Sequence, residues 1–261
     1  MTLELRLDDA VVLVTGGVRG VGAGISRAFA AAGARVVTCA RTTPERPVAE
    51  FVPCDVREPA QVDRLIGTVV DRHGRLDVVV NNAGGAPFAA AATASPNFSA
   101  KVVALNLLAP LTVAQRANAV MQRQETGGVI VNVGSVSGAR ASPGTAAYGA
   151  AKAGVDSLTA TLAVEWAPRV RVVGLRVGMV RTERAELHYG DAEGVAAVGR
   201  TVPLGRLAEP EEIGRCAVFL ASPLASYVSG ATLAVHGGGE VPAFLAASNA
   251  DAVNEQDREG T

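Results

Sequence analysis

Tyr148 and Lys152 stand four residues apart, in the run Tyr148-Gly149-Ala150-Ala151-Lys152, in a chain with almost no other lysine. Of 24 basic residues only Lys101 and Lys152 are lysine, and the tyrosines are Tyr148, Tyr189 and Tyr227 alone. Three tyrosines and two lysines over 261 positions give a chance expectation of roughly 0.02 for one such spacing. Arginine holds its proton too tightly to relay it, whereas a lysine ammonium is compact and can pass protons. Ala146 to Trp166 lacks proline and carries apolar residues at helical intervals, so a helix is expected there. Residues i and i+4 share a helix face, which makes the phenol and the ammonium neighbours. A free phenol near pKa 10 is a poor acid or base at neutral pH, and a nearby cation favours phenolate, which would lower that value toward the working range. The bland alternative is a surface tyrosine beside a solvated lysine.

Such a pair needs a scaffold and a partner. The first apolar run, Val11–Thr15, leads straight into Thr15-Gly16-Gly17-Val18-Arg19-Gly20-Val21-Gly22. Glycines at a strand-to-helix turn let the backbone approach a pyrophosphate, which then rests on amides at the helix N-terminus. The spacing Gly16, Gly20, Gly22 is one residue longer than the common Gly-x-Gly-x-x-Gly pattern, and a bare tight turn is the competing reading. Folds that bind NAD usually place an acid near the end of the second strand to hold the ribose hydroxyls. Here that strand ends Thr38-Cys39-Ala40-Arg41-Thr42-Thr43, with no carboxylate. Arg41, joined by Arg19, could clamp a 2′-phosphate by charge-assisted hydrogen bonds, or both could be solvated arginines. NADP(H) is favoured over NAD(H).

Short β-rich runs alternate with alanine-rich helical segments. Strands are expected at Val11–Thr15, Arg35–Cys39, Phe51–Pro53, Val78–Val80, Val129–Val133, Val170–Leu175 and Thr232–Val235. Helices are expected at Val21–Ala32, Ala60–Arg72, Ser99–Gln122, Ala146–Trp166 and Pro210–Leu220. Nearly continuous apolar strands between helices indicate a doubly wound parallel sheet, a Rossmann fold of three layers, α/β/α. At 261 residues, 49% apolar and 19% charged, one domain spanning 1–245 is expected, with 246–261 as a mobile charged tail. Residues 182–204 read as a long polar, glycine-containing connection, a candidate substrate lid. Net charge is −1, so nothing suggests nucleic acid. No apolar run was expected to span a membrane and the start does not read as a signal peptide, which points to the cytoplasm. Cys39, Cys54 and Cys216 read as buried small hydrophobes in a reducing compartment, and the three histidines show no metal-ligand spacing.

Over residues 8–240 the chain resembles the short-chain dehydrogenase/reductase family in its short single-domain form. Asp55, followed by Val56, comes after the third strand, as does the family's adenine-contacting acid. Asn81-Asn82-Ala83-Gly84 resembles the family signature that props the sheet and lines the cofactor channel. Asn106 matches the asparagine that holds a water in the proton relay, and Ser135 precedes Tyr148 by 13 residues, the family interval. The resemblance implies an oxidoreductase acting on ketones and secondary alcohols. In it Ser135 would bond the substrate carbonyl, Tyr148 would deliver the proton, Lys152 would lower the tyrosine pKa and hold the nicotinamide ribose, and Asn106 would complete the path. A catalytically idle NADP(H)-binding or redox-sensing protein is the alternative.

After the sixth strand the family writes Asn-x-Val-x-Pro-Gly and then threonine; here Val173 and Val177 replace asparagine and proline, while Gly178 and Thr182 remain, with Val180 between them. Loss of proline should loosen the entry to the lid. Arg176 and Arg181 either pair with carboxylates or meet an acidic substrate group. Leu187, His188, Tyr189, Val195 and Val198 of the lid, with Gly85, Ala86, Ser137 and Arg140 opposite, suggest a hydrophobic ketone, a 3-oxoacyl thioester or a steroid-like ring. The resemblance also implies a homotetramer or homodimer through Ser99–Gln122, Ala146–Trp166 and the last strand.

Overall fold

The computed structural model describes residues 5–247. Seven strands form one sheet in the order β3-β2-β1-β4-β5-β6-β7, every pair parallel. They are β1 (Val11–Thr15), β2 (Arg35–Ala40), β3 (Glu50–Pro53), β4 (Val78–Asn81), β5 (Gly128–Ser135), β6 (Val170–Val177) and β7 (Thr232–Val235). Apolar side chains cover both faces because the crossover helices lie on both, and two large buried clusters result, one on each side of the sheet. Strand order reverses at β1 and β4, so the crevice beyond their carboxyl ends is where a doubly wound sheet binds ligands.

The helices carry start signals in the sequence. α1 (Gly20–Ala31) opens at the glycine turn, and α2 (Pro59–His73) and α8 (Pro210–Ala221) begin with proline, α8 behind a capping box of Glu209 and Glu212. The segment expected as one helix is α3 (Pro96–Val103) and α4 (Ala109–Met121), joined by a wider π-helical turn at Ala104–Leu108. Pro96–Met121 is long and apolar enough by composition to cross a membrane, with a mean hydropathy of 1.3, contrary to the expectation from sequence. In the fold it lies on the sheet, with Ala109, Val113, Ala114, Ala117 and Met121 in the core, so its apolarity serves packing. α5 (Ala146–Glu165) lies beside it.

Residues 182–204 are not a bare connection. They contain α6 (Glu186–Tyr189) and α7 (Ala192–Arg200), the latter capped by Asp191, which accepts the Gly194 N–H at 3.0 Å. A helix, α9 (Ala243–Ala247), stands before the expected tail, most of which lies outside the described residues. At the entry to the lid, valine stands where the family has proline. Val177 continues β6, pairing with Ser135 on one side and Val235 on the other, and Val180 bridges to Ala208. A valine there keeps the N–H that a proline would lack. Cys39 and Cys54 are buried free thiols, whereas Cys216 is only partly buried.

Candidate active site

The glycine turn is tied to the β4 end by Thr15, a residue the motif reading passed over. Its hydroxyl donates to Val80 O (3.3 Å) and accepts the N–H groups of Asn82 and Ala83, both at 3.0 Å. Asn82 returns the link, its side-chain amide donating to Thr15 O (2.9 Å) and Gly16 O (3.2 Å). Gly16 and Gly20 adopt φ of +63° and +51°, a region that favours glycine, so the turn keeps this shape only with those residues. Deeper in the sheet, buried Asn81 donates to Asn132 Oδ1 (2.9 Å) and Pro110 O (3.1 Å), and Asn132 donates to Thr159 Oγ1 (3.0 Å). Four elements, β4, β5, α4 and α5, are thereby locked in register. Asparagine within the apolar strand Val129–Val133 was the available sign of this network.

Above it the four expected catalytic side chains meet. Asn106, on the π turn, is wholly buried; its amide donates to Gly85 O (3.0 Å) and Val102 O (2.9 Å), and its oxygen accepts the Gly85 N–H (2.8 Å). A Cβ on Gly84 would fall 2.7 Å from that oxygen and 3.6 Å from Lys152 Nζ, so only glycine lets the groups approach. Ser135 ends β5, and its oxygen accepts the Ser137 N–H at 3.2 Å. Tyr148 and Lys152 lie one turn apart on α5, the ammonium 5.7 Å from the ring centroid.

The electrostatics differ from the expectation. Burial pushes the Tyr148 phenol above its ordinary pKa, a hydrogen bond with Ser135 pulls it down less strongly, and neighbouring Tyr189 adds to the rise. The Lys152 ammonium donates to Val133 O at 2.7 Å, and burial lowers its own pKa to about 8. Of the pair, the lysine is therefore the group that titrates nearer neutrality.

Around this centre, Arg19 and Arg41 are exposed and, among the described residues, neither makes a salt bridge, although the Arg41 charge acts on the Asp55 carboxyl. Asp55 sits after β3 but is held by Arg57 (3.0 and 2.5 Å), which keeps its carboxyl below the usual range. Val56 and Val180 are buried; Ala83 and Thr182 lie beside the glycine turn, 3.0 and 3.4 Å from where a Cβ on Gly16 and on Gly20 would stand, while Val21 is in the first turn of α1 and Gly178 follows β6. The turn fits a pyrophosphate-bearing dinucleotide on one observation: the Gly20 N–H already holds an anionic group, the Glu183 carboxylate, at 3.1 Å.

The expected substrate residues are only partly brought together. Ser137 joins a hydroxyl chain, accepting from Ser142 (3.0 Å), which meets Thr145 at 2.7 Å. Arg140 is committed to Glu240, a residue the sequence did not flag, and Tyr189 lies under the influence of both. Leu187 is 77% exposed and His188 is exposed. Val195 and Val198 turn inward to a small lid cluster with Ala185 and Leu207. Arg176 pairs with Asp156 (2.7 Å) and Arg181 with Glu209 (3.4 Å), the ion-pair arrangement of the two alternatives. A small apolar cavity of about 80 Å³ adjoins Tyr148, lined by Ala86, Pro87, Ala94, Phe98 and Val102 among others.

A family model described as enoyl-(acyl carrier protein) reductase matches residues 16–240. The chain is 34% identical to galactitol 2-dehydrogenase of Agrobacterium fabrum, over 90% of this chain and 98% of that protein. It is 35% identical to 3beta-hydroxysteroid dehydrogenase 1 of Eggerthella lenta, over 89% and 94%. Among solved structures, ligand-free aldohexose dehydrogenase of Thermoplasma acidophilum is similar at a TM-score of 0.84 and 30% identity, covering 90% of this chain and 94% of that one.

Proposed function

The chain belongs to the short-chain dehydrogenase/reductase family, and on that premise we propose that it is an NADP(H)-dependent oxidoreductase interconverting a ketone and a secondary alcohol. The observation that carries the reading is the convergence of Ser135, Tyr148, Lys152 and Asn106 at the carboxyl ends of β4 and β5. The cofactor, when bound, supplies the hydride. Ser135 holds the substrate oxygen, and Tyr148 gives that oxygen its proton as negative charge develops there. A buried phenol is protonated in the resting site and so carries the proton to be given, and the hydrogen bond with Ser135 works against the loss of acidity that burial brings. Lys152, with a pKa near 8, exchanges protons at working pH and restores the phenol, while Asn106 fixes the Gly85 backbone beside it. A hydrogen-bonded Ser–Tyr pair suits a polar carbonyl oxygen rather than an alkene carbon.

Support for NADP(H) lies in the missing acid at the β2 end and the exposed Arg41 and Arg19. The named relatives act on polyols, sugars and a steroid. The apolar cavity beside Tyr148 favours a hydrophobic ketone, at least at the end that enters there. Exposed Leu108 and Val164 on the α4–α5 side, with Leu233 and Tyr227 near the β7 edge, support self-association of a cytoplasmic protein; sedimentation as a monomer at micromolar concentration would overturn that part.

The test is oxidation of NADPH and NADH by wild type and Tyr148→Phe against 3-oxoacyl thioesters, bulky cyclic ketones and small sugars. Turnover should fall by about 10²–10⁴-fold in the variant while NADPH binding holds. Unchanged turnover ends the assigned role, and silence across the panel with tight NADPH binding favours the idle binding protein. Arg41→Ala should weaken NADPH by about tenfold and NADH little; equal losses would show that the arginine does not read the 2′-phosphate.

A further inference from the structure

Glu183 reaches the amide end of α1 from 163 residues away, and both its oxygens accept the Gly20 N–H at 3.1 Å. No acidic residue stands in the first turn of that helix, and its cap residue, Arg19, offers no acceptor. The contact is built by the fold, for a Cβ on Gly20 would lie 3.4 Å from Thr182 and 3.9 Å from the Glu183 carboxylate. A helix N-terminus carries about half a unit of positive charge, the property that seats a pyrophosphate there. Two anions brought to one amide end repel each other.

The chain on either side of Glu183 is held. Upstream, Arg181 donates its N–H to Ala208 O at 2.8 Å, beside the Val180–Ala208 bridge. Downstream, Ala185, Val195 and Leu207 form a small core with Met179, Tyr189 and Val198 packed on it. The far root of the lid is tied to the C-terminal segment by Leu204 N–H to Gly237 O (3.1 Å) and Val241 N–H to Thr201 O (3.0 Å). Thr182–Glu183 is thus a short link between a pinned strand end and a unit with its own core. The carboxylate is exposed, so water and a competing anion can both reach it.

From this geometry we infer that Glu183 is the chain's own occupant of the pyrophosphate cradle, and that the cofactor binds by displacing it. The inference rests on the dinucleotide reading of the glycine turn. Displacement frees the lid at Thr182 and lets α6 and α7 turn together, so cofactor arrival and lid position are coupled. Glu183 thereby sets cofactor affinity without touching the reacting atoms.

Isothermal calorimetry with NADP+ and with inorganic pyrophosphate, on wild type, Glu183→Gln and Glu183→Ala, tests it. Glutamine keeps the shape and removes the charge. Both ligands should bind both variants about twofold to fivefold more tightly than wild type, the range an exposed charge at a helix end provides. Unchanged or weaker binding by the variants, with wild type binding NADP+ normally, overturns this inference alone; it would make Glu183 a latch over bound cofactor or a bystander. A wild type that takes up neither ligand overturns the dinucleotide reading and this inference with it.

Discussion

On the floor of the site Asn106, Lys152, Asn132 and Thr159 are withdrawn from water, at 0%, 4%, 3% and 0% exposure, and each is bonded to a neighbouring strand, turn or helix. Across the crevice, in residues 182–204, Glu183, Arg184, Leu187 and His188 are exposed, and the segment rests on a few backbone ties and a small core. Both regions carry polar and ionisable groups, yet only the floor removes them from solvent. A buried polar group left unpaired is costly, so the floor has one arrangement and places its chemistry accurately. An exposed segment with little buried surface opens at low cost, which suits the part that must admit and release ligands.

The contrast can be broken by substitution. Asn106→Ala strips three hydrogen bonds, to Gly85 O, the Gly85 N–H and Val102 O. It should cost about 2–4 kcal/mol of global stability in urea unfolding, since buried partners are left unsatisfied. An unchanged midpoint would mean the floor does not depend on that residue. Leu207→Ala opens the lid core around a side chain that is 1% exposed. Global stability should fall by no more than about 2 kcal/mol, with faster proteolysis inside residues 182–204. A loss as large as that of Asn106→Ala would merge lid and floor into one cooperative unit.

The smallest effect per step is electrostatic. Burial lowers Lys152 from 10.5 to about 8, so between those values the unfolded chain holds a proton that the folded one has released. Stability should therefore rise with pH across that window, by at most about 1.4 kcal/mol per unit. Lys152→Met should remove this rise when urea midpoints are compared from pH 7.5 to 10.5. Parallel slopes for the two proteins would show that the ammonium is hydrated in the folded state.

Much of the floor was legible beforehand. Continuous valine-rich runs could be satisfied only by a sheet covered on both faces, and β1 and β7 lie at the expected residues. The spacing of Tyr148 and Lys152 needed only the geometry of one helix turn. The two helices of the lid segment were not legible because glycine and polar residues mask them, and their packing partners, Ala185 and Leu207, lie outside or at the margins of their own spans. The π turn at Ala104–Leu108 has no local mark either, since proline at 110 and a buried asparagine fit an ordinary helix as well.

The sequence alone determined that a doubly wound parallel sheet forms and which groups are candidates for the site, because apolar period, glycine placement and residue type are local properties. Tertiary structure decided the rest. Whether Tyr148 is made more or less acidic depended on how deeply it is buried, and the Lys152 ammonium turned toward Val133 O. Whether Arg176, Arg181 and Arg140 met substrate or carboxylate depended on Asp156, Glu209 and Glu240, brought from other parts of the chain. The charge opposite Gly20 came from Glu183 in the same way. Charge and desolvation act through space, and their sign follows from distances that residue order does not encode locally.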